Sequence, residues 1–230
     1  ELWVINAAKD TKLITIYNSL NELYIADGHH RSASSARLKD TIVKNKQASF
    51  PNHDFFLAYL IDEKKLEILE FQRLVKTLNG LSAKEFLQAC SEHFDIEELK
   101  KARRPLQRHE MVCLLGKEAY SFTAKEHITA EKDVVKQLDA QILTDYILNP
   151  VLGIEDLKTS REIEFIPGTK ELKKIIDRIK KEEFKVGFLL YPASIDEVKE
   201  VADMGGIMPP KSTWVEPKMR SGLTIYNINE

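Results

Sequence analysis

The stretch YIADGHHRSASSARL, Tyr24–Leu38, places a short β-type run directly before a glycine turn and a segment with helical spacing. The small residues after Arg31 would let a helix pack closely against its neighbours. We therefore predict a strand over Leu23–Asp27, a tight turn at Gly28 and a helix over His30–Asn45. The predicted local structure is therefore a strand, a tight glycine turn and a helix.

The turn gathers an acid, two imidazoles and a guanidinium in five consecutive positions, Asp27–Arg31. Because the first N–H groups of a helix have no intrahelical partner, the backbone near His30–Ser32 favours an anion. Arg31 adds a planar fork of donors that matches a phosphate or a carboxylate. Asp27 stands where it would act as a base or hold a metal or a substrate amine.

The same residues also have a purely structural interpretation. Asp27 would cap the helix, Gly28 would supply positive φ, and an imidazole would bond a neighbouring carbonyl. Arg31 would then pair with a carboxylate at the edge of the core. The adjacent pair His29–His30 lacks the spacing of two ligands on one helix face, which argues against zinc. Mg²⁺ accompanying a nucleotide needs only one or two carboxylates and stays open.

The remaining segments alternate between strand-like and helix-like patterns. The polar EKK between FFLAYLID and LEILEFQRLVK predicts a hairpin, and EMVCLLG with AYSFTA predicts a second one. Ser82 is placed to begin one helix, and the apolar stripe of Val134–Ile147 predicts another that Pro150 ends. After these come EIEFIP, TKELKKIIDRIKKEEF, VGFLLYP and SIDEVKEVADMG, a βαβα pattern. The predicted class is α+β, with mixed sheets and packed helices.

Composition argues against an overall attraction to nucleic acid or membrane. The chain has 34 Lys and Arg against 36 Asp and Glu, a formal charge of −2. No apolar run approaches the roughly 18 residues that cross a bilayer. Cys90 and Cys113 lack metal-ligand or redox spacing, so we expect two buried thiols in the cytoplasm rather than a disulfide. The basic run Lys100–His109 lacks interleaved aromatics, which favours a solvated loop over a nucleic-acid contact.

The chain begins ELWVINAAKD, without a Met and already inside an apolar run. We therefore expect residues 1–230 to be a piece of a longer protein. Within it, we expect a motif-bearing α+β part over residues 1–130 and a helix plus βαβα part over residues 131–230.

Four blocks, in order, resemble the family called domain of unknown function 1015. They are YIADGHHRSASSA, RLVKTLNGLS at Arg73–Ser82, LDAQILTDYILNPVLGI at Leu138–Ile154, and GGIMPPKSTWVEPKMRSGL at Gly205–Leu223. Two positions depart from the family pattern, since Ser32 stands where an aromatic residue often follows the Arg and Gln72 where a His often occurs. Full-length members begin with a further region, so the resemblance implies that residues 1–230 are the C-terminal portion of one larger protein.

The turn is also similar, more distantly, to the phosphate-binding motif of the ParB and sulfiredoxin-like fold, which includes free-serine kinases. This resemblance implies a related fold around the turn and a site that holds phosphate. It implies catalytic roles for Asp27, His29 and His30, and phosphate-binding roles for Gly28, Arg31 and Ser32. Asp27 would position or deprotonate the acceptor hydroxyl. Sulfiredoxin chemistry is disfavoured because His replaces the reactive Cys of its turn.

The segment MPPKSTWVEPKMRSG gathers a second set of cations and hydroxyls near two Pro turns. Phosphoryl transfer gains from positioning and from cations around the spreading negative charge. We therefore predict phosphate-binding roles for Lys211, Ser212, Thr213 and Lys218. The alternative is a solvated edge strand on which Lys guards against aggregation.

The predicted function is a nucleotide-dependent small-molecule phosphotransferase similar to free-serine kinases. ATP or ADP would be the donor, with Mg²⁺ as an open choice, and a hydroxyl compound such as serine would be the acceptor. Two alternatives remain. One is a ParB-like nucleotide-binding or DNA-associated module that passes phosphate to no metabolite, and the other is an interaction domain in which the turn only serves packing.

Overall fold

The computed structural model describes residues 11–45, 52, 54–220 and 222–227. Contacts group the chain into two units, residues 1–58 with 222–230, and Tyr59–Ser221. The α+β class predicted from the sequence is confirmed. The six-stranded sheet of the second unit contains strands from both sides of residue 130, the subdivision suggested by the sequence.

The first unit contains two described helices, α1 at Thr11–Asn18 and α2 at His29–Asn45. The helix predicted after Gly28 is therefore confirmed. The strand predicted at Leu23–Asp27 is wrong, because these residues are irregular and pair with no strand among the residues that the structure describes. A β-type run becomes a strand only when a partner satisfies its backbone groups. Leu23 and Ile25 are accordingly 66% and 50% exposed.

The second unit is built on antiparallel strands. In chain order they are β1 Glu67–Leu69, β2 Phe71–Val75, β3 Phe94–Glu98, β4 Glu110–Leu115, β5 Glu118–Ala124, β6 Ile163–Pro167, β7 Val186–Leu189 and β8 Trp214–Glu216. One sheet has the order β3-β5-β4-β7-β2-β6, and β1 pairs with β8 in a second. The described pairs are all antiparallel, so the mixed sheets expected from the βαβα pattern do not form. The physical reason is that β2 inserts between β6 and β7.

Helices cover both faces of the larger sheet. They are α3 Ala83–Cys90, α4 Glu126–Thr129, α5 Asp139–Leu143, α6 Leu172–Lys180 and α7 Ile195–Asp203. Along β4, Met111 and Cys113 belong to one buried cluster, while Val112 and Leu114 belong to the other, since successive side chains point to opposite faces. The first cluster includes side chains of α3 and α5, and the second includes side chains of α6.

Two segments differ from the prediction. Residues 55–62 form no strand, and the Asp62 carboxylate accepts the N–H of Lys64 at 3.0 Å at the start of a 3₁₀ turn over Glu63–Lys65. The helix expected from Val134 begins only at Asp139 and ends in a π-helical turn at Thr144–Leu148. The side chain of Asp133 accepts two following N–H groups there, which favours a turn over a helix.

Other predictions for the strands, helices and thiols of this unit are confirmed. The hairpin of β4 and β5 forms, as do the four elements of the βαβα pattern, β6, α6, β7 and α7. Ser82 caps α3 in a capping box with Glu85, as expected from the local sequence. Cys90 and Cys113 are free and buried, and burial raises the pKa of both thiols.

Candidate functional site

The Asp27–Ser32 turn lies at the start of α2. Gly28 has φ +83°, a conformation that favours glycine, and the helix begins at the next residue. The N–H of Ser32 donates to the carbonyl of Gly28 at 3.0 Å, so the N–H groups of His29–Arg31 precede the intrahelical bonds. Four of the predicted site residues are exposed: Asp27, His29, His30 and Arg31. Gly28 and Ser32 are half-buried.

The Arg31 side chain folds back over this turn. Its Nη2 lies 3.9 Å from Oδ2 of Asp27, and the two side chains are 79% and 57% exposed. A Cβ added to Gly28 would lie 3.1 Å from Nη2 and 3.2 Å from Nε of the same guanidinium. An ion pair this exposed contributes little to stability, so a phosphate can displace it at small cost.

The second predicted cluster lies in the other unit, beside β8. Lys211 places Nζ 5.4 Å from the ring centroid of Phe71, and Lys218 places Nζ 4.8 Å from that of Trp214. Both ammonium groups therefore lie in positions that a cation–π interaction favours. Thr213, the third member of the cluster, is half-buried.

Ser212 is buried, unlike the two lysines of its cluster. Its hydroxyl donates to the carbonyl of Pro209 at 2.7 Å. The hydroxyl hydrogen is used inside the loop, and the oxygen keeps its lone pairs as acceptors. Each predicted set lies within one unit, and the phosphate-binding roles of Lys211, Ser212, Thr213 and Lys218 stay predictions.

Arg73 is a buried cation that the sequence did not assign to a site. It stands in β2 and is 1% exposed. Its guanidinium donates to the carbonyls of Phe71 and Lys211, the latter at 3.1 Å, and lies 5.5 Å from the ring centroid of Phe165. Among the residues that the structure describes, Nε has no hydrogen-bond partner. Burial lowers the pKa of Arg73 to about 9, and the charge of Asp139 opposes that shift.

Asp139 is the second buried charge that was missed. It begins α5 and is 7% exposed. One carboxylate oxygen, Oδ1, accepts the backbone N–H of His109 at 2.9 Å, while Oδ2 has no partner in the described part of the chain. Burial raises the pKa of Asp139 to about 7, against the lowering effect of the His109 N–H. A carboxylic acid with such a pKa exchanges its proton near neutral pH.

The basic run that was interpreted as a solvated loop instead supplies partners to buried carboxylates. Arg103 donates to Glu110 at 2.5 Å, and Arg104 pairs with Glu70, whose side chain is 6% exposed. In addition, Arg108 Nε lies 2.9 Å from Oε1 of Glu197, a side chain that is 13% exposed. The solvated-loop interpretation is wrong for these arginines, because buried carboxylates need paired charges.

A sequence signal for the buried charges did exist. Arg73 interrupts the apolar run of β2, and Asp139 interrupts the apolar stripe that leads to Pro150. Gln72, which stands where the family often has a His, is fully buried, and its Oε1 accepts the N–H of Leu190 at 2.9 Å. Ionisable or amide groups inside apolar runs cost free energy unless they are paired, so they mark positions with a specific role.

Two further features bear on the class of site. Within the described ranges, no cluster of three or more His, Cys, Asp or Glu side chains could hold a metal ion. None of the described helices combines the length and apolar character needed to span a membrane.

Solved structures similar to this chain include two structures of free serine kinase and one of a hypothetical protein. A free serine kinase in complex with AMP is 18% identical, with a TM-score of 0.43, and a mutant in complex with ADP is 18% identical, with a TM-score of 0.42. Each match covers 83% of this chain and 66% of the kinase chain. A conserved hypothetical protein from Pyrococcus furiosus is 17% identical over 86% of this chain and 71% of its own, with a TM-score of 0.45. No curated protein matches the chain.

The family model gives a match of a different extent. It covers residues 1–141, which include the Asp27–Ser32 turn and the block at Arg73–Ser82, and it reaches only the first four residues of the block at Leu138–Ile154. The block at Gly205–Leu223 lies outside it. Because the match covers more than half of the 230 residues, the chain belongs to the family described as Protein of unknown function (DUF1015).

Proposed function

We propose that the chain is part of a nucleotide-dependent phosphotransferase that acts on the hydroxyl group of a small molecule such as free serine. The observation that carries this proposal is the Asp27–Ser32 turn, in which the Arg31 guanidinium lies over Gly28 at the start of a 17-residue helix. Backbone N–H groups, a helix N-terminus and a guanidinium together form a site for a phosphate.

The chemistry follows from the order of groups along the turn. The acceptor oxygen attacks the terminal phosphorus of ATP or ADP, and the bond from that phosphorus to the bridging oxygen of the nucleotide breaks. Asp27 takes the proton of the acceptor hydroxyl, while His29, His30 and Arg31 hold the transferred phosphoryl group. Transfer of this kind depends mainly on positioning and on charge stabilisation. Mg²⁺ accompanying the nucleotide would need only one or two carboxylates and would help to neutralise the phosphate charge.

Binding is tested by calorimetry with ATP, ADP and phosphoserine, each with and without Mg²⁺. We expect Arg31→Ala to weaken nucleotide binding about tenfold to a hundredfold, because a charge-assisted hydrogen bond is lost. The matched control is Arg37→Ala, an exposed Arg further along α2. Equal nucleotide affinity of wild type and Arg31→Ala would show that the phosphate does not bind at this turn.

Catalysis is tested separately by following phosphoserine formation from serine with ATP or ADP. We expect Asp27→Asn to abolish transfer while leaving nucleotide binding intact, because the change removes only the base. Asp40→Asn in the same helix is the matched control. Nucleotide binding without any serine-dependent product would favour the ParB-like module, as would a nucleotide-induced change of oligomeric state.

A partner-binding domain is the second candidate. Three consecutive apolar side chains, Phe55, Phe56 and Leu57, are 65%, 56% and 53% exposed. Clustered exposed aromatics are typical of surfaces that contact another protein. Under this alternative no nucleotide shifts the melting temperature, and Arg31→Ala changes the binding of none of them.

A further inference from the structure

A small cavity lies within the second unit, and no residue of the Asp27–Ser32 turn lines it. Its volume is about 20 Å³, enough for one water-sized group. Polar side chains on its wall come from segments that are distant in the sequence: Glu70, Arg108, Asp139, Tyr191, Glu197 and Ser212.

Two oxygens of the wall keep free acceptor capacity, one on the Asp139 carboxylate and one on the Ser212 hydroxyl. Oδ2 of Asp139 has no partner among the described residues, although the side chain is more than nine-tenths buried. The Ser212 hydroxyl has already donated its hydrogen to Pro209, so only its lone pairs remain. A buried acceptor without a donor is costly, and the cavity is where such a donor fits.

The cation nearest the cavity is already engaged. Arg108 donates from Nε to Glu197 at 2.9 Å and from Nη2 to the carbonyl of Gln137 at 3.3 Å. Glu197 in turn caps α7 through its other oxygen, which accepts the Ser194 N–H at 2.8 Å. The negative charge of Glu197 adds to burial in raising the pKa of Asp139, so a further positive charge beside Oδ2 would be favourable.

We propose that this cavity binds the primary ammonium group of a small-molecule ligand, with Asp139 Oδ2 and Ser212 Oγ accepting its N–H donors. An ammonium group has three donors and no acceptor, which complements these two acceptor oxygens. The remainder of the ligand leaves the cavity past Tyr191 and Arg108, whose side chains reach solvent, with Arg108 43% exposed. This site is independent of the Asp27–Ser32 turn and of the activity proposed for it.

Ethanolamine is the probe for this site, and ethylene glycol, which replaces the ammonium by a neutral hydroxyl, is its control. Binding to the 230-residue chain is measured by calorimetry and by the amide chemical shifts of residues around the cavity. We expect ethanolamine to bind more tightly than ethylene glycol and to shift the amides of Asp139 and Ser212. Asp139→Asn should weaken ethanolamine binding about tenfold to a hundredfold, and Ser212→Ala should weaken it by about tenfold or less.

Asp145→Asn is the matched control, since Asp145 is an exposed carboxylate that follows α5 by two residues. It should leave ethanolamine binding unchanged. Equal affinity for the two probes, unchanged ethanolamine binding in Asp139→Asn, or no binding of ethanolamine to the wild type would each overturn the proposal. If Asp139→Asn does not fold, the comparison of the probes and the amide shifts in the wild type decide. Arg31→Ala should not affect ethanolamine, which separates this test from that of the nucleotide.

Discussion

The Asp27–Ser32 turn and the Asp139 cavity both collect charged groups, but they differ in how the chain assembles them. The turn consists of six consecutive residues, and its ion pair has side chains that are 79% and 57% exposed. The cavity draws on separated segments, and Asp139 is 7% exposed. In water an ion pair is weak and replaceable, whereas a buried charge must find its partners within the fold. The turn is therefore suited to exchange of a phosphate, and the cavity to recognition of a fixed group.

Substituting one arginine in each region should give the largest contrast. Arg73→Ala is expected to lower the free energy of unfolding by about 3–5 kcal/mol, because it leaves a cavity and two carbonyl oxygens without a donor. Arg31→Ala should change it by less than about 0.5 kcal/mol. Urea unfolding followed by circular dichroism measures both. If both variants lost a similar free energy of unfolding, the proposed difference between a buried Arg73 and an exposed Arg31 would be contradicted.

The pH dependence of stability should identify Asp139. Its folded pKa of about 7 exceeds the unfolded value of about 3.9, so the folded state holds the proton more tightly. The contribution of Asp139 to the free energy of unfolding is fully present below pH about 4. It is lost as the pH rises through about 7, which lowers the free energy of unfolding by up to about 4 kcal/mol. Asp139→Asn should therefore remove this decline, which urea unfolding at a series of pH values would show.

Other charged groups face Asp139 and must be held constant in that experiment. They are Arg73 of β2, the His109 and Arg108 of the basic run, and Glu197 of α7. Burial lowers the pKa of His109, so that this imidazole gives the opposite slope in a neighbouring range. The difference between wild type and Asp139→Asn isolates the carboxylate, and Asp145→Asn should keep the wild-type curve. If the free energy of unfolding depends on pH in the same way for wild type and Asp139→Asn, the pKa of this carboxylate does not differ between the folded and unfolded states.

Gly28→Ala should have an intermediate effect. A residue with Cβ at φ +83° is disfavoured by about 1–2 kcal/mol, and the new Cβ also crowds the Arg31 guanidinium. Amide hydrogen exchange in the first turn of α2 would report the loss locally. Gly80→Ala is the matched control in the other unit, since Gly80 has φ +80° and open space around it. An excess cost at Gly28 over Gly80 would measure the contact with Arg31, while no cost at Gly28 would contradict the turn geometry.

The smallest effect on stability should come from Asp27→Asn, the same chemical change as Asp139→Asn but made in the exposed turn. The ion pair of Asp27 with Arg31 spans 3.9 Å at the surface, and we expect a change below about 0.5 kcal/mol that shrinks further with added salt. Urea unfolding at low and high salt would measure it. A loss above about 1 kcal/mol would favour the structural interpretation, in which Asp27 caps the helix.

Features that depend on neighbouring residues could be predicted from the sequence. Features formed by residues that are distant in the sequence could not. The start of α3 at Ser82 and the start of α2 depend on residues within one helical turn, which a short stretch of sequence contains. The prediction of a strand at Leu23–Asp27 was wrong because a strand also requires a partner strand from elsewhere in the chain. The Asp139 cavity was missed because its wall residues meet only through the packing of α5, α7 and the segment before β8.

The same limit applied to the hairpin expected around EKK. Residues 55–62 and 66–76 are close in sequence, but β1 pairs instead with β8, so that Ile68 lies opposite Val215. A pattern of apolar residues indicates where strands form, but it does not determine which strands pair with each other. The buried arginine in β2 was visible as an interruption of an apolar run, and its role became clear only from the carbonyl of Lys211.

The pairing of β1 with β8 has a consequence for the order of folding. Closing it brings together residues from opposite ends of the second unit, and such contacts form slowly because a long loop must first lose its freedom. On a ribosome, Arg73 emerges long before Lys211, whose carbonyl it needs. The strands that flank β2, β6 and β7, also follow it in the chain, so the Arg73 guanidinium reaches its buried position only after the later residues of this unit have been synthesised.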